Sequence, residues 1–382
     1  MIARFAAFCL VWLVWAAPAL GVQPTDEGRV LAFDPVLLCQ GREVEGDPAL
    51  SLTRGPFEYR FRDEASRDAF AADPDRYEIQ FNGACARMGP LSSGGDARRF
   101  AVHDGRVYVF ASESCRRTFI EHADAMLEKD ERPLLPAGCE ADQGRELVDR
   151  AIEWVGGRAA LADCRSYLET MHAIAESGGA TYEHDLLLSI EFADDASVAR
   201  AIRTDDWGQY GLFGHAIADD DAMRLDRDGT DGPVTRSDLV AAQRRAFERA
   251  IDRSLIVVLK AAARDDANLC RVGTGTIDDA AIEEVAIHIR GITATLSIEP
   301  ESGRIVAIEH IARGGPHLML GARQTRFTRY QTVAGLRLPV AGTVLFDGEP
   351  EPDEDFDDRH VAINLTTETA LPAADGTGAD GR

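Results

Sequence analysis

The stretch Thr293-Ala-Thr-Leu-Ser-Ile-Glu-Pro-Glu-Ser-Gly-Arg-Ile-Val-Ala-Ile-Glu309 decides the fold class. Two runs rich in β-branched residues, Thr293 to Ile298 and Arg304 to Glu309, flank Glu299-Pro-Glu-Ser-Gly303, whose proline and glycine favour a turn. The pair predicts two antiparallel strands. Downstream, Arg326-Phe-Thr-Arg-Tyr330, Val333-Ala-Gly-Leu-Arg-Leu-Pro339 and Gly342-Thr-Val-Leu-Phe346 continue the pattern. Upstream, Thr181-Tyr-Glu-His-Asp-Leu-Leu-Leu-Ser-Ile-Glu191 alternates in the same way. Helical spacing is confined to Arg145–Val155, stopped by Gly156-Gly157, and to an uninterrupted helix expected from the cap pair Ser237-Asp238 to Arg264. Strands joined by short turns, with helices segregated, indicate an antiparallel α+β domain over about 145–368.

A different organisation precedes it. Phe57-Glu-Tyr-Arg-Phe61 runs into Asp63 and a helix ending at Phe70, and Val107-Tyr-Val-Phe110 runs into Ser112 and a helix through Phe119. A shift of 49 residues lays Tyr59 on Tyr108, Phe61 on Phe110, Arg67 on Arg116 and Phe70 on Phe119. Each copy predicts a β-hairpin with one amphipathic helix, capped by Asp63 or Ser112. The turn His103-Asp-Gly105 precedes the second aromatic strand. The copies span 30–80 and 81–128, and the Pro-containing segment 129–144 reads as a linker.

The N-terminus, MIARFAAFCLVWLVWAAPALG, has a basic start, a short apolar core and small residues at its end. It reads as a signal peptide over 1–21, and so as an exported, periplasmic or extracellular protein; an uncleaved anchor is the alternative. A formal charge of −24 argues against nucleic acid and anionic membranes as partners. No stable membrane span is expected after cleavage. Six cysteines remain in the mature chain, namely Cys39, Cys85, Cys115, Cys139, Cys164 and Cys270, and none forms a CxxC pair. The tail 369–382, rich in Ala, Gly and Asp, has the composition of a disordered segment.

The repeat resembles the YHS domain in tandem. The likeness rests on Asp34-Pro-Val and Asp73-Pro-Asp-Arg-Tyr77 in copy one, with Cys85-Ala-Arg-Met88 and Phe110-Ala-Ser-Glu-Ser-Cys115 in copy two. It implies heavy-metal binding by cysteines before the hairpin and at the strand–helix junction. Copy one departs from this, with Val-Leu-Leu at its front and Ser66 opposite Cys115, and Ala111 stands at another family cysteine position. Copy one therefore looks like a metal-free structural copy with Cys39 nearby. Residues 145–368 resemble the lipoprotein-carrier-like (LolA-like) half-barrel, through the opening helix with its glycine pair, the Glu299–Arg304 turn and the Tyr330 to Pro339 strand pair before Ala362-Ile-Asn364. That likeness implies an open antiparallel sheet with helices, holding acyl chains or another apolar ligand.

Cys115 falls at the third position of its helix beside Arg116 and Arg117, where unpaired N–H groups and positive charge favour a thiolate. Three readings of Cys85 with Cys115 stand together. They form a disulfide, they bind Cu or Zn or act in redox sensing with Met88 or His103 as a further ligand, or they are buried free thiols. Cys139 with Cys164 is a second disulfide candidate, clamping the helix at 145. Asp226-Arg-Asp-Gly-Thr-Asp-Gly232 lacks calcium-loop spacing and reads as a turn. The scattered histidines make no catalytic constellation, and no motif of nucleotide or acyl chemistry is present. The expectation is a non-enzymatic binding protein whose half-barrel holds an apolar or lipid-like ligand, with the repeat structural or contacting a protein partner. Metal handling through Cys85 and Cys115 is the alternative.

Overall fold

A computed structural model of the chain describes residues 26–92, 94–127, 135–136, 138–177, 180–218, 221–351 and 354–365. The expected signal peptide, linker residues 129–134 and 137, and the tail lie outside the described residues.

The first unit comprises β1 (Val30–Leu31), α1 (Pro35–Cys39), β2 (Asp47–Arg54), β3 (Phe57–Phe61), α2 (Glu64–Ala72) and α3 (Pro74–Tyr77). The second comprises β4 (Asp96–His103), β5 (Arg106–Phe110) and α4 (Glu113–Met126). The repeat holds in three dimensions. Val30 pairs in parallel with Glu58, and Ile79 pairs in parallel with Val107, each partner 49 residues on. The Asp63 carboxylate accepts from the Ser66 N–H at 2.9 Å, and the Ser112 hydroxyl accepts from the Cys115 N–H at 3.1 Å. Tyr59 and Phe61 pack on Phe70 at 4.8 and 5.4 Å, while Tyr108 and Phe110 pack on Phe119 at 5.2 and 5.0 Å. Neither hairpin is self-sufficient, and Val107 and Val109 of the second unit complete the core of the first.

The remainder is α+β, as its alternating runs predict. Helices α5 (Ala141–Val155) and α6 (Gly157–Asp163) lead into β6 (Ser166–Ser177), β7 (Ala180–Phe192), β8 (Val198–Asp206), β9 (Leu212–Ala218), β10 (Asp221–Arg227) and β11 (Thr235–Asp238). Helices α7 (Ala241–Asp252) and α8 (Leu255–Ala262) precede β12 (Asn268–Ile277), β13 (Ala280–Ile289), β14 (Ile292–Ile298) and β15 (Ile305–Gly314). Last come β16 (Met319–Val333), β17 (Leu336–Phe346), β18 (Glu349–Pro350) and β19 (His360–Ile363). They form two open seven-stranded antiparallel sheets, β11-β10-β9-β8-β7-β6-β19 and β12 through β18 in sequence order. One core joins them: Val148 and Ile152 of α5, Phe247 and Ile251 of α7, and Val258 of α8 pack with residues of both sheets. Gly156 ends α5 at φ 143°, and a Cβ there would collide with the Gly335 carbonyl.

Two expectations need correction. The helix expected from Ser237 to Arg264 is two helices after a strand. Ser237 and Asp238 pair with Arg224 and Met223 in β11, so ladder bonds replace the expected cap. The helix then breaks after Asp252, whose buried carboxylate is held by Arg290, with Nε at 3.1 Å. The second correction is the disulfide. Cys139 bonds Cys270, with Cα atoms 5.7 Å apart, rather than Cys164. Glu140 bridges Arg271 through the backbone and by a 2.6 Å ion pair, which brings the segment before α5 to β12. Cys164 is a buried free thiol whose Sγ lies 3.6 Å from the Ser166 carbonyl. Among the described residues, no helix is long and apolar enough to cross a membrane.

The Cys139–Cys270 bond closes a sequence separation of 131 residues. Replacing both cysteines by alanine is expected to cost about 2–5 kcal/mol of stability. An unchanged urea midpoint at equal slope would contradict this.

His215 is buried against Phe247, and burial, then the charges of Arg224 and Arg203, push its pKa from 6.5 down to about 3. Below pH 6.5 the unfolded chain takes up a proton that the folded site refuses, so stability falls as pH drops toward 3. His215→Phe should flatten the stability–pH slope in that interval by up to about 1.4 kcal/mol per pH unit. Denaturant melts at stepped pH read it.

Candidate functional site

The second unit gathers the chemistry. Cys85 enters through its parallel bridge to Val109, reinforced by the Ala86 N–H donating to the Val109 carbonyl at 3.1 Å. Cys115 sits in the first turn of α4, fixed by the Ser112 cap. Both are buried free thiols, so the pair is not a disulfide here. The two sulfurs lie in one buried cluster, in side-chain hydrogen-bonding contact. That hydrogen bond, with those from Ser112 and Arg87 and the Arg87 charge, lowers the Cys115 pKa from 9.0 to about 5 against the opposing effect of burial. The same contact, with burial, raises Cys85. Cys115 is thus the more acidic sulfur of the pair, and Cys85 the one that holds its proton more tightly.

Met88 packs against this cluster. His103 does not join it. Its Nε2 lies 3.4 Å from Asp124 and 3.7 Å from Asp104, and its ring meets the edge of Phe119. Among the described residues, His103, Asp104 and Asp124 form the one group of three or more His, Cys, Asp or Glu side chains with ligand atoms within 4.8 Å of one another. Among the described residues the two cysteines therefore have no third donor of those types, and His103 does not join them as a ligand. Cys39 packs in the core of the first unit, where burial raises its pKa to about 11. The Asp226 turn is structural, since its carboxylate clasps the Arg224 guanidinium at 2.7–3.0 Å.

Two residues that the motif reading passed over complete the site. Arg87 is buried, with Nη1 3.9 Å from the Cys115 sulfur and Nη2 donating to the Pro316 carbonyl at 3.3 Å. Arg313 of β15 donates to the Arg87 carbonyl at 3.2 Å, the Leu318 carbonyl at 3.2 Å and the Met126 carbonyl. The dithiol thus lies at the seam with the turn between β15 and β16. The signal in the sequence was the arginine inside Cys85-Ala-Arg-Met88, but its partners across the seam, Pro316 and Arg313, are more than 200 residues away.

A second feature lies on the other large sheet. Tyr167, Ile190 and Ala201 stand in register across β6, β7 and β8 and point to the helices. Alternate residues face the opposite way. There, one row runs His360, Thr170, Leu187 and Thr204, and the next runs His172, Asp185, Asp206 and Leu212. They line a trough of about 530 Å³. Ile202, Ala216 and Leu225 continue an apolar floor on the same face. At the rim, His172 Nδ1 lies 2.9 Å from Asp185, which raises the histidine's pKa, and Arg227 donates to Asp206 at 2.7 Å. His184 lies on the reverse face, paired with Asp205 at 2.6 Å and stacked on Trp207.

No family model matches the chain, and no curated protein matches it. Among solved structures, it is similar to a DUF1329 family protein from Desulfovibrio piger, at 12% identity and a TM-score of 0.37 over 60% of this chain and 95% of that one. It is also similar to a putative outer membrane lipoprotein-sorting protein domain from Vibrio parahaemolyticus, at 10% identity and a TM-score of 0.35 over 61% and 95%.

Alkylation of the thiols by iodoacetamide separates them. Cys115 should keep its rate between about pH 8 and pH 6, where an ordinary thiol loses about tenfold per pH unit. A rate at Cys115 that falls with the ordinary slope would contradict the thiolate assignment.

Proposed function

We propose that the chain is an exported, non-enzymatic binding protein that carries an apolar-bodied, lipid-like ligand in the trough on β6–β9. The observation that carries this reading is the trough itself: about 530 Å³, floored by Leu187 and Leu212 and rimmed by polar side chains. The opposite face of this sheet is packed instead by Phe247, Ile251 and the α8 residues. An apolar floor supplies affinity by removing hydrocarbon from water, and a polar rim orients a head group. Thr170, Thr204, Asp185 and Asp206 present acceptor oxygens there, and the chain's net charge is −24. Both carboxylates are already paired, with His172 and Arg227, so the rim offers hydrogen-bonding groups of either sign to a polar head. The repeat braces this domain: Arg224 Nη1 donates to the Ser92 carbonyl at 2.8 Å, and Gln243 donates to the Pro90 carbonyl at 3.0 Å.

The test uses the apolar fluorophore N-phenyl-1-naphthylamine with the full chain, alongside mass spectrometry of its organic extract. Binding at one site is expected. Leu187→Arg should weaken it about tenfold or more, the equivalent of losing one buried aliphatic side chain. Ile311→Arg, at an exposed position on the other sheet, should leave it unchanged. Absent probe binding, or equal binding by the Leu187→Arg protein, would overturn the proposal.

A further inference from the structure

Cys85 and Cys115 meet inside a unit whose sister is built without sulfur. At the 49-residue shift, the first unit carries Val36 and Ser66 in their places. Burial is equivalent: Val36 and Ser66 are 5% and 7% exposed, against 0% and 6% for the two cysteines. The helix cap and aromatic trio are also equivalent in both units. Packing therefore requires sulfur at neither position, yet the second unit has it at both, together in one buried cluster. The pair also has a buried guanidinium beside it, whose Nε has no partner among the described residues. Cys39 and Cys164 lack such an arrangement, since each stands in a separate core.

We propose that Cys85 and Cys115 form a dithiol–disulfide exchange site for low-molecular-weight disulfides, with Arg87 as its positioning residue. Cys115 is the attacking sulfur, because it is the more exposed of the two and lies at the helix start beside Arg87. Its thiolate attacks one sulfur of the incoming disulfide and expels the other half as a thiolate. Cys85 then gives up its proton to the thiolate already expelled and attacks the Cys115 sulfur of the mixed disulfide, releasing the second half as a thiolate. Two protein thiols become one disulfide, and the reagent disulfide becomes two thiols, a two-electron exchange. Oxidation removes the charge that Arg87 faces, and Arg87 also holds the Pro316 carbonyl, so the state of the pair reaches the β15–β16 turn. This site is independent of the trough.

The experiment equilibrates the reduced full chain in glutathione buffers of stepped composition, quenches with acid, alkylates, and reads each cysteine by peptide mass spectrometry. The expected result is a Cys85–Cys115 disulfide that appears as a two-electron transition and reverses with dithiothreitol. Cys39 and Cys164 should alkylate throughout. Cys85→Val should trap one glutathione on Cys115, whereas Cys115→Ser should leave Cys85 unmodified. These variants use the sister unit's own residues, and circular dichroism checks their fold. Arg87→Met should slow trapping about tenfold, through loss of the charge that favours the thiolate. Two free thiols at every buffer composition in the parent chain would overturn the proposal, whatever the variants do. So would Cu or Zn that stays on the reduced pair through chelator dialysis and blocks its oxidation.

Discussion

Each seven-stranded sheet has an apolar face that must leave water, and the same three helices serve both. Val148 and Ile152 of α5, Phe247 and Ile251 of α7, and the almost wholly apolar α8 lie where Ile190 and Ala201 of one sheet approach Val285, Ile287 and Leu296 of the other. At roughly 25 cal/mol per Å² of apolar surface removed from water, this shared core is the largest favourable term available to the domain. Other features answer to it. Gly156 lets α5 end against Gly335, and the Asp252–Arg290 pair turns the chain from α7 into α8. The Cys139–Cys270 bond ties the strand start of β12 to the lead-in of α5.

Filling that face with side chains of the chain itself moves any binding function to the remaining surfaces. On the β6–β9 sheet, period-two alternation puts Leu187 and Leu212 on the outer side, among threonines, histidines and carboxylates. Leu186 and Leu188 alternate with Leu187 in an unbroken apolar run, and such a run does not announce which member faces outward.

The repeat is a different kind of solution. Two hairpin–helix units, each too small to bury its aromatics alone, complete one another through Val107 and Val109. Duplication also frees one copy from chemistry. With Val36 and Ser66 supporting the same local geometry, Cys85 and Cys115 are available for a reactive role. Arg313 and Arg87 fasten that copy to the β15–β16 turn through backbone carbonyls, so the dithiol stands at a junction.

Local chemistry was legible in the sequence. The α+β class, the turn at Glu299–Gly303, the 49-residue repeat, both helix caps and the stop at Gly156 all rest on contacts within a few residues or on periodicity. The placement of Cys115 in the first turn of α4 belongs with them. What depended on distant partners was not legible. Cys139 chose Cys270 over the nearer Cys164 because strand pairing at Glu140–Arg271 set its neighbour. Ser237 and Asp238 became strand because β10 offered them a ladder. His103 left the sulfur pair because it lies at the far end of its hairpin, where Asp124 meets it. Propensity and periodicity act along the chain, while register, disulfide choice and the sharing of Arg87 depend on which surfaces the shared core brings together.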